Sequence, residues 1–192
     1  MPKKLVIIGA GGVGREIQAV LKKYPLDGYY LFGFIDDGVL AGTIVNGLPV
    51  LGGLQCIKDD NEDLAVILAI GNPQVRKKII DSLSDYSFDF PSLIHPGASI
   101  HDNDTVSIGK GCYIADKCVL TVDIMVSDFC FLNTGCFLQH DATIGPYSVL
   151  MPGVSITGGA IIGEQVYITS NCSVITKCEI EDNSIIKQSI NS

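Results

Sequence analysis

Positive charge is scarce in this 192-residue chain: 13 Lys and Arg stand against 21 Asp and Glu, a net charge of −8. Nucleic acid and anionic membrane surfaces are therefore not expected as partners. Long apolar runs are missing too. Although 47% of the residues are hydrophobic, none of the runs approaches the ~20 residues that cross a bilayer. The opening Met1-Pro2-Lys3-Lys4-Leu5-Val6-Ile7-Ile8 is too short in its apolar part for a signal peptide and leads straight into a glycine loop. A cytoplasmic protein is expected. The seven cysteines form no Cys-x-x-Cys pair, so no metal is predicted. Histidine is limited to His95, His101 and His140.

What the chain has in abundance is a period of six. From Ile108 to Ile186 every sixth residue is aliphatic, fourteen times in succession. Neither a helix nor an isolated strand generates that repeat. A second column two residues earlier holds slim side chains, among them Cys112, Cys118, Cys130, Cys136, Ala142, Ala160, Cys172 and Cys178. One long and one short inward residue per hexad is the pattern of a parallel β-helix, a narrow prism of stacked short strands. Six of the seven cysteines thus read as small buried hydrophobes. Three hexads make a coil, so residues i and i+18 stack about 4.8 Å apart. About five coils are expected over 94–190, with an irregular corner at Asp102–Thr105, where the step from Ile100 to Ile108 is eight.

The first ninety residues follow a different rule. Lys4–Ile8 reads as a buried strand, followed by Gly9-Ala10-Gly11-Gly12-Val13-Gly14 and a helix carrying Ile17, Val20 and Leu21. Leu31–Ile35 is a second strand ending in Asp36-Asp37, and Leu64–Ile70 a third ending in Gly71-Asn72. An amphipathic helix follows at Gln74–Leu83. This is a Rossmann-like α/β arrangement of about four strands, short for a full dinucleotide fold. Its glycines allow a phosphate to approach a helix N-terminus, and its acids can accept from a ribose or a base edge. The expected ligand residues are Gly11, Gly12, Asp36, Asp37 and Gly71. The domains are placed at 1–93 and 94–192.

Chemistry in the prism centres on histidine, the usual base near neutral pH. His95 sits beside Pro96 at the junction and reads as structural, and His101 as a solvated corner residue. His140 comes two places after the inward Leu138 and points outward at a corner, with Asp141 next. One coil on, at i+18, lies Gly158 within Thr157-Gly158-Gly159. A bare glycine corner leaves room for a reacting group and offers an N–H to an oxyanion. Outward residues one place before the aliphatic column form a stripe, Tyr113, Phe131, Val149, Tyr167 and Ile185. Such a stripe is rarely left in water, and it is expected to pack in a homotrimer with His140 near the seam.

The segments Ile8–Glu16, Gly33-Phe34-Ile35-Asp36-Asp37, Gly47–Gly52, Ala69-Ile70-Gly71-Asn72, Leu93-Ile94-His95-Pro96, Asn133-Thr134 and His140-Asp141 together resemble the sialic acid O-acetyltransferase (NeuD/PglD-like) family of bacterial sugar acyltransferases. The likeness spans residues 4 to about 186. It implies a left-handed β-helix, a homotrimer, and transfer of an acyl group, usually acetyl, from coenzyme A to a sugar. In relatives the sugar is nucleotide-linked and the acceptor an amine, or else a hydroxyl is acetylated. The implied roles are His140 as base, Asp141 as its support, Gly158 as oxyanion donor and Asn133 near the acceptor. Acetyl-CoA is expected along a groove between prisms, against Val149, Gly158, Gly159, Ser170 and Lys177, with Lys187 a further candidate for its phosphates.

Three positions depart from the family pattern. Val13 replaces a histidine in the glycine loop, Val149 replaces one nine residues after the base, and a Gly-Val-Pro-Ala tail has no counterpart before Asn191-Ser192, with Gln188 where glycine often sits. The expectation is altered contact with the sugar and weaker hold on the donor. Two other classes compete. A trimeric metalloenzyme of the γ-carbonic anhydrase type would need three converging histidines, and a His-x4-His pair is missing. A non-catalytic nucleotide-sugar-binding trimer would respond to a sugar nucleotide but not to acetyl-CoA.

Overall fold

The computed structural model describes residues 2–59 and 64–190; the expected domain ends at Met1 and Ser192 lie outside them. Two compact units form. One holds the residues up to 71 together with 78–91, the other 72–77 together with those from 92 onward.

The first unit contains β1 (Lys3–Ile8), α1 (Gly12–Lys23), β2 (Tyr29–Ile35), β3 (Ile44–Val45), β4 (Leu48–Gly52), α2 (Leu54–Asp59) and β5 (Leu64–Leu68), with α3 (Pro73–Asp81) divided between the two units. The sheet order is β3-β4-β2-β1-β5, parallel except for the β3–β4 pair. The continuous apolar runs follow from this position: Leu5–Ile8 and every residue of β5 are buried, as in a strand covered on both faces. Ile17 and Leu21, one turn apart on α1, are buried as well. The sheet has five strands where about four were expected. The additional strand, β3, turns into β4 through Asn46 and Gly47, with φ of 48° and 81°. Two positive φ values make a type I′ hairpin, and Asn-Gly is its strongest sequence signal. Strand order reverses at β1, with β2 on one side and β5 on the other, so the carboxyl ends of β1 and β5 form the switch point where ligands bind such sheets.

In the second unit, among the described residues, sixteen two-residue strands stack in three parallel sheets of six, five and five. Three strands per coil give a little over five coils. The register is eighteen throughout the regular part: Val119 faces Phe137, Leu120 faces Leu138, and Thr143 faces Ile161. Both inward columns are interior, with Leu120, Leu132, Leu138, Ile144 and Ile156 at 0% exposure. Cysteines 112, 118, 130, 136 and 172 are buried free thiols. Burial pushes the Cys130 thiol up; the adjacent Cys118 and burial do the same for Cys136. Cys130 and Cys136 pack as small neutral side chains. The eight-residue step is absorbed at Asp102, whose carboxylate accepts from Asp104 N–H and Thr105 Oγ1 and whose carbonyl accepts from Val106 N–H.

The corners obey a rule of their own. Every sixth residue from Gly111 to Asn183 has φ between 53° and 74°, in the third place of a β-turn that demands it. Four of these thirteen are glycine; the rest include Phe129, Asp141 and Tyr147. Stacking imposes the conformation, because twelve of the thirteen corner N–H groups donate to the coil below, as Gly159 N–H does to His140 O at 2.9 Å and Asn171 N–H to Pro152 O at 2.9 Å.

The apolar stripe needs correction. Tyr113, Phe131 and Val149 are at 5%, 1% and 0% exposure within the single chain, and only Ile185, at 58%, is open. Arg76, from the 72–77 segment, is itself fully buried. Its guanidinium donates from Nε and Nη2 to Phe129 O at 3.1 and 2.7 Å and lies 5.8 Å from the Phe131 ring centre. Burial lowers its pKa to about 10. The lower half of the stripe is therefore already covered inside the chain.

Candidate functional site

His140 occupies the second place of the turn Gln139–Ala142, closed by Ala142 N–H to Gln139 O at 3.3 Å. Its neighbour Asp141 takes the left-handed place, φ 63°, which turns the carboxylate back toward the ring. Nδ1 and Asp141 Oδ2 are 2.7 Å apart. A carboxylate only accepts, so Nδ1 carries the hydrogen and Nε2 presents its lone pair. Both side chains are more than half exposed. The ring packs closely against the next coil: a Cβ at Gly158 would stand 2.5 Å from His140 Cε1 and 2.7 Å from Nε2. Only glycine fits beneath this imidazole. Main-chain stacking of the two corners is fixed by the Gly159-to-His140 bond. His140, Asp141 and Gly158 are thus brought together.

The Gly158 amide has a partner of its own. It donates to Gln139 Oε1 at 3.3 Å, a long bond. Nothing in the sequence pattern singled out Gln139, whose place just before the histidine is a signal that register could have supplied.

The remaining residues of the expected prism site divide. Gly159 and Lys177 continue the same edge, Lys177 N–H donating to Gly158 O at 3.0 Å and its Cγ lying 3.3 Å from where a Gly159 Cβ would stand. Asn133 and Ser170 belong to the neighbouring edge. Asn133 is half-buried at the first place of its own turn, with Oδ1 accepting from Thr134 N–H at 2.7 Å; Ser170 is exposed. Val149 is a correction: at 0% exposure its side chain offers no surface for a coenzyme.

In the first unit, the glycine loop sorts into two kinds. Gly9, φ 104°, makes the tight turn out of β1, and Gly14 is forced by packing, since a Cβ there would meet Gly9 O. Gly11, Gly12 and Gly71 have open space where a Cβ would go. Helix α1 follows the N-cap residue Gly11, which offers no side-chain cap, and has no acid in its first turn, leaving its leading N–H groups to an anion or solvent. Asp36 stands at the tip of β2, holding the loop: Oδ2 accepts from Ala10 N–H and Oδ1 from Gly38 N–H, both at 2.8 Å. Asp37 caps α2, accepting from Leu54 N–H at 2.9 Å. Both acids therefore have structural work, with lone pairs to spare. Asn72 Oδ1 accepts from Val75 N–H and caps α3. Among the described residues, no group of three or more His, Cys, Asp or Glu could hold a metal ion.

Comparison with known proteins gives consistent findings. The family described as the PglD N-terminal domain matches residues 4–83. The chain is 29% identical over 171 residues, 88% of this chain and 76% of the relative, to GDP-perosamine N-acetyltransferase of Escherichia coli O157:H7. Among solved structures it resembles WeeI from Acinetobacter baumannii AYE, at a TM-score of 0.76 and 26% identity over 98% of this chain and 93% of that one. The acetyltransferase domain of PglB from Neisseria gonorrhoeae FA1090, solved with acetyl coenzyme A, matches at a TM-score of 0.65 and 26% identity, covering 96% of each chain.

Proposed function

We propose that the chain is a member of the NeuD/PglD-like group of hexapeptide-repeat sugar acyltransferases, as its likeness to the PglD N-terminal domain, to GDP-perosamine N-acetyltransferase and to WeeI supports, its prism being a left-handed β-helix like that of the PglB acetyltransferase domain, and that it transfers the acetyl group of acetyl-CoA to an amino group of a nucleotide-linked sugar. One observation carries the assignment of the base. An imidazole whose Nδ1 is tied to a carboxylate lies over a glycine on the adjacent coil.

The domains expected at 1–93 and 94–192 divide the labour, the first holding the nucleotide and the second doing the chemistry. The open glycines Gly11, Gly12 and Gly71 and the uncapped start of α1 suit a diphosphate, and the remaining lone pairs of Asp36 and Asp37 suit hydroxyl or N–H donors. In the prism, His140 Nε2 takes a proton from the sugar amine as its nitrogen attacks the thioester carbonyl. The C–N bond forms, and the oxyanion is met by Gly158 N–H. The intermediate then collapses: the C–S bond breaks, and the proton on Nε2 passes to the leaving thiolate. No covalent enzyme intermediate is needed. Asp141 keeps Nδ1 protonated and stabilises the imidazolium. Asn133 orients the acceptor, while Gly159, Ser170 and Lys177 contact the coenzyme.

The working form is a homotrimer in a cytoplasmic pathway. Outward apolar positions left open in the single chain, Met125 at 53%, Ile161 at 44% and Ile185 at 58%, support burial between subunits. No described helix is long and apolar enough to cross a membrane.

The test is thiol release from acetyl-CoA against UDP-, dTDP-, GDP- and CMP-linked amino sugars, with the matching hydroxy sugars alongside. Release with one amino sugar, and none from its hydroxy counterpart, is expected. Release only with hydroxy sugars would move the acceptor from nitrogen to oxygen. A thermal shift with a sugar nucleotide but none with acetyl-CoA would mark a binding protein instead.

A further inference from the structure

The amide assigned to the oxyanion is engaged in the resting chain. Gly158 N–H meets Gln139 Oε1 at 3.3 Å, and the Gly158 residue itself is buried beneath the His140 ring. A thioester oxygen arriving at that N–H must displace the glutamine carbonyl. Where the displaced amide goes is suggested by a second, independent feature. Thr121 lies eighteen residues before Gln139, and the register Val119–Phe137 and Leu120–Leu138 puts it one coil below. Threonines at this corner place elsewhere bond the carbonyl one coil on: Thr157 Oγ1 donates to Val174 O at 2.8 Å, and Thr169 Oγ1 to Ile186 O at 3.1 Å. Thr121 Oγ1 does not. It is buried and, among the described residues, no hydrogen bond reaches it.

We propose that Gln139 is a positioning residue for the acyl donor: its carboxamide oxygen holds the Gly158 N–H in place until the thioester carbonyl replaces it, and then turns down one coil to the Thr121 hydroxyl. Thr121, Gln139 and Gly158 so share one amide between two partners. In the resting state the N–H is satisfied and the hydroxyl is orphaned. In the donor complex both are paired. The length of the Gln139 bond fits this role, since a short, strong bond would compete with the substrate. The inference rests on the assignment of Gly158 N–H as the oxyanion donor.

Steady-state kinetics with acetyl-CoA as the varied substrate test it. Gln139→Met keeps the length of the side chain and removes its polar end. It is expected to lower the KM for acetyl-CoA by about 2–10-fold, the worth of one competing hydrogen bond, with kcat moving less than KM. Gln139→Glu, a stronger acceptor, is expected to raise that KM. Thr121→Val is expected to raise KM in the native background but not beside Gln139→Met, a coupling that two independent structural defects would not show. A Gln139→Met enzyme whose KM stays put or rises overturns the assignment, as does Thr121→Val acting equally in both backgrounds. His140→Ala in the same assay separates the two levels. If it abolishes turnover while Gln139→Met leaves KM unmoved, the Gln139 role alone fails. If it retains turnover, the site itself is wrong and the inference falls with it.

Discussion

Two corners of the prism unit carry a histidine beside a carboxylate, and they are built in opposite ways. At one, His140 Nδ1 is 2.7 Å from Asp141 Oδ2, with side chains 61% and 64% exposed. At the other, His95 Nδ1 is 3.2 Å from Asp116 Oδ1, with side chains 15% and 43% exposed. His140 is second in its turn and Asp141 third, so the acid reaches the ring from the next residue. His95 is first in the turn His95–Ala98, closed by Ala98 N–H to His95 O at 2.8 Å. Its ring folds over the turn and accepts from Gly97 N–H at 2.9 Å. A ring nitrogen that accepts from an N–H has no hydrogen to give a carboxylate. The shorter contact is the hydrogen bond, and Asp116 is a spatial neighbour. One corner leaves Nε2 as the basic atom; the other spends its lone pair on Nδ1. The nitrogen that is tied off, more than the presence of an acid nearby, separates a base from a brace.

The sharpest way to break this contrast is to remove each ring in turn. His140→Ala is expected to lower turnover by roughly 10²–10⁴-fold without moving the melting temperature, since the side chain is exposed. His95→Ala is expected to leave turnover intact. Rates measured on both variants decide it, and equal losses would erase the distinction.

The prism was readable in the sequence because burial there acts on single positions: a centre that admits one aliphatic per hexad leaves Ile108 to Ile186 no alternative. His140 and Gly158 were readable for the same reason, through an arithmetic of eighteen. Hydrogen-bond directions were not. The bond from Gly158 to Gln139 depends on rotamers, and the left-handed φ of Phe129 and Tyr147 defies residue preference because stacking overrules it. The outward stripe was misread for a related cause. Periodicity tells which side chains leave the interior, but it does not tell what meets them, and Arg76 on an amphipathic helix gave no hint that it would be buried against Phe129 O. In the α/β unit, Gly9 and Gly14 were legible as necessities of turn and packing, whereas the capping duty of Asp37 needed coordinates. The Asn46-Gly47 hairpin carries its own sequence signal, since both residues accept the positive φ the turn requires.

Smaller changes at the His140 corner sharpen the contrast. Gly158→Ala puts a methyl 2.5 Å from Cε1, so the ring must leave its seat. Misplacement on the order of 1 Å costs about 10²-fold in rate, and stability should hold because the ring can swing into solvent. Asp141→Asn keeps the shape but removes the anion that stabilises the imidazolium. For so exposed a pair the Coulomb part is about 1 kcal/mol, which sets the expected loss in kcat/KM at roughly 5–10-fold. A loss as large as that of His140→Ala would mean the pair is far better shielded in the working enzyme than in the single chain.

The smallest effects belong to the other corner. His95→Ala removes the acceptor of Gly97 N–H, a bond near solvent that water can replace, so about 1 kcal/mol of stability is at stake. Asp116→Asn keeps the contact surface and removes only a charge. If the lone pair on His95 Nδ1 faces Gly97, that carboxylate does nothing for the ring, and denaturant melts should show a change in unfolding free energy within about 0.5 kcal/mol. A larger loss would mean that Nδ1 gives a hydrogen to Asp116 in place of accepting the Gly97 N–H, and the two corners would then be the same device.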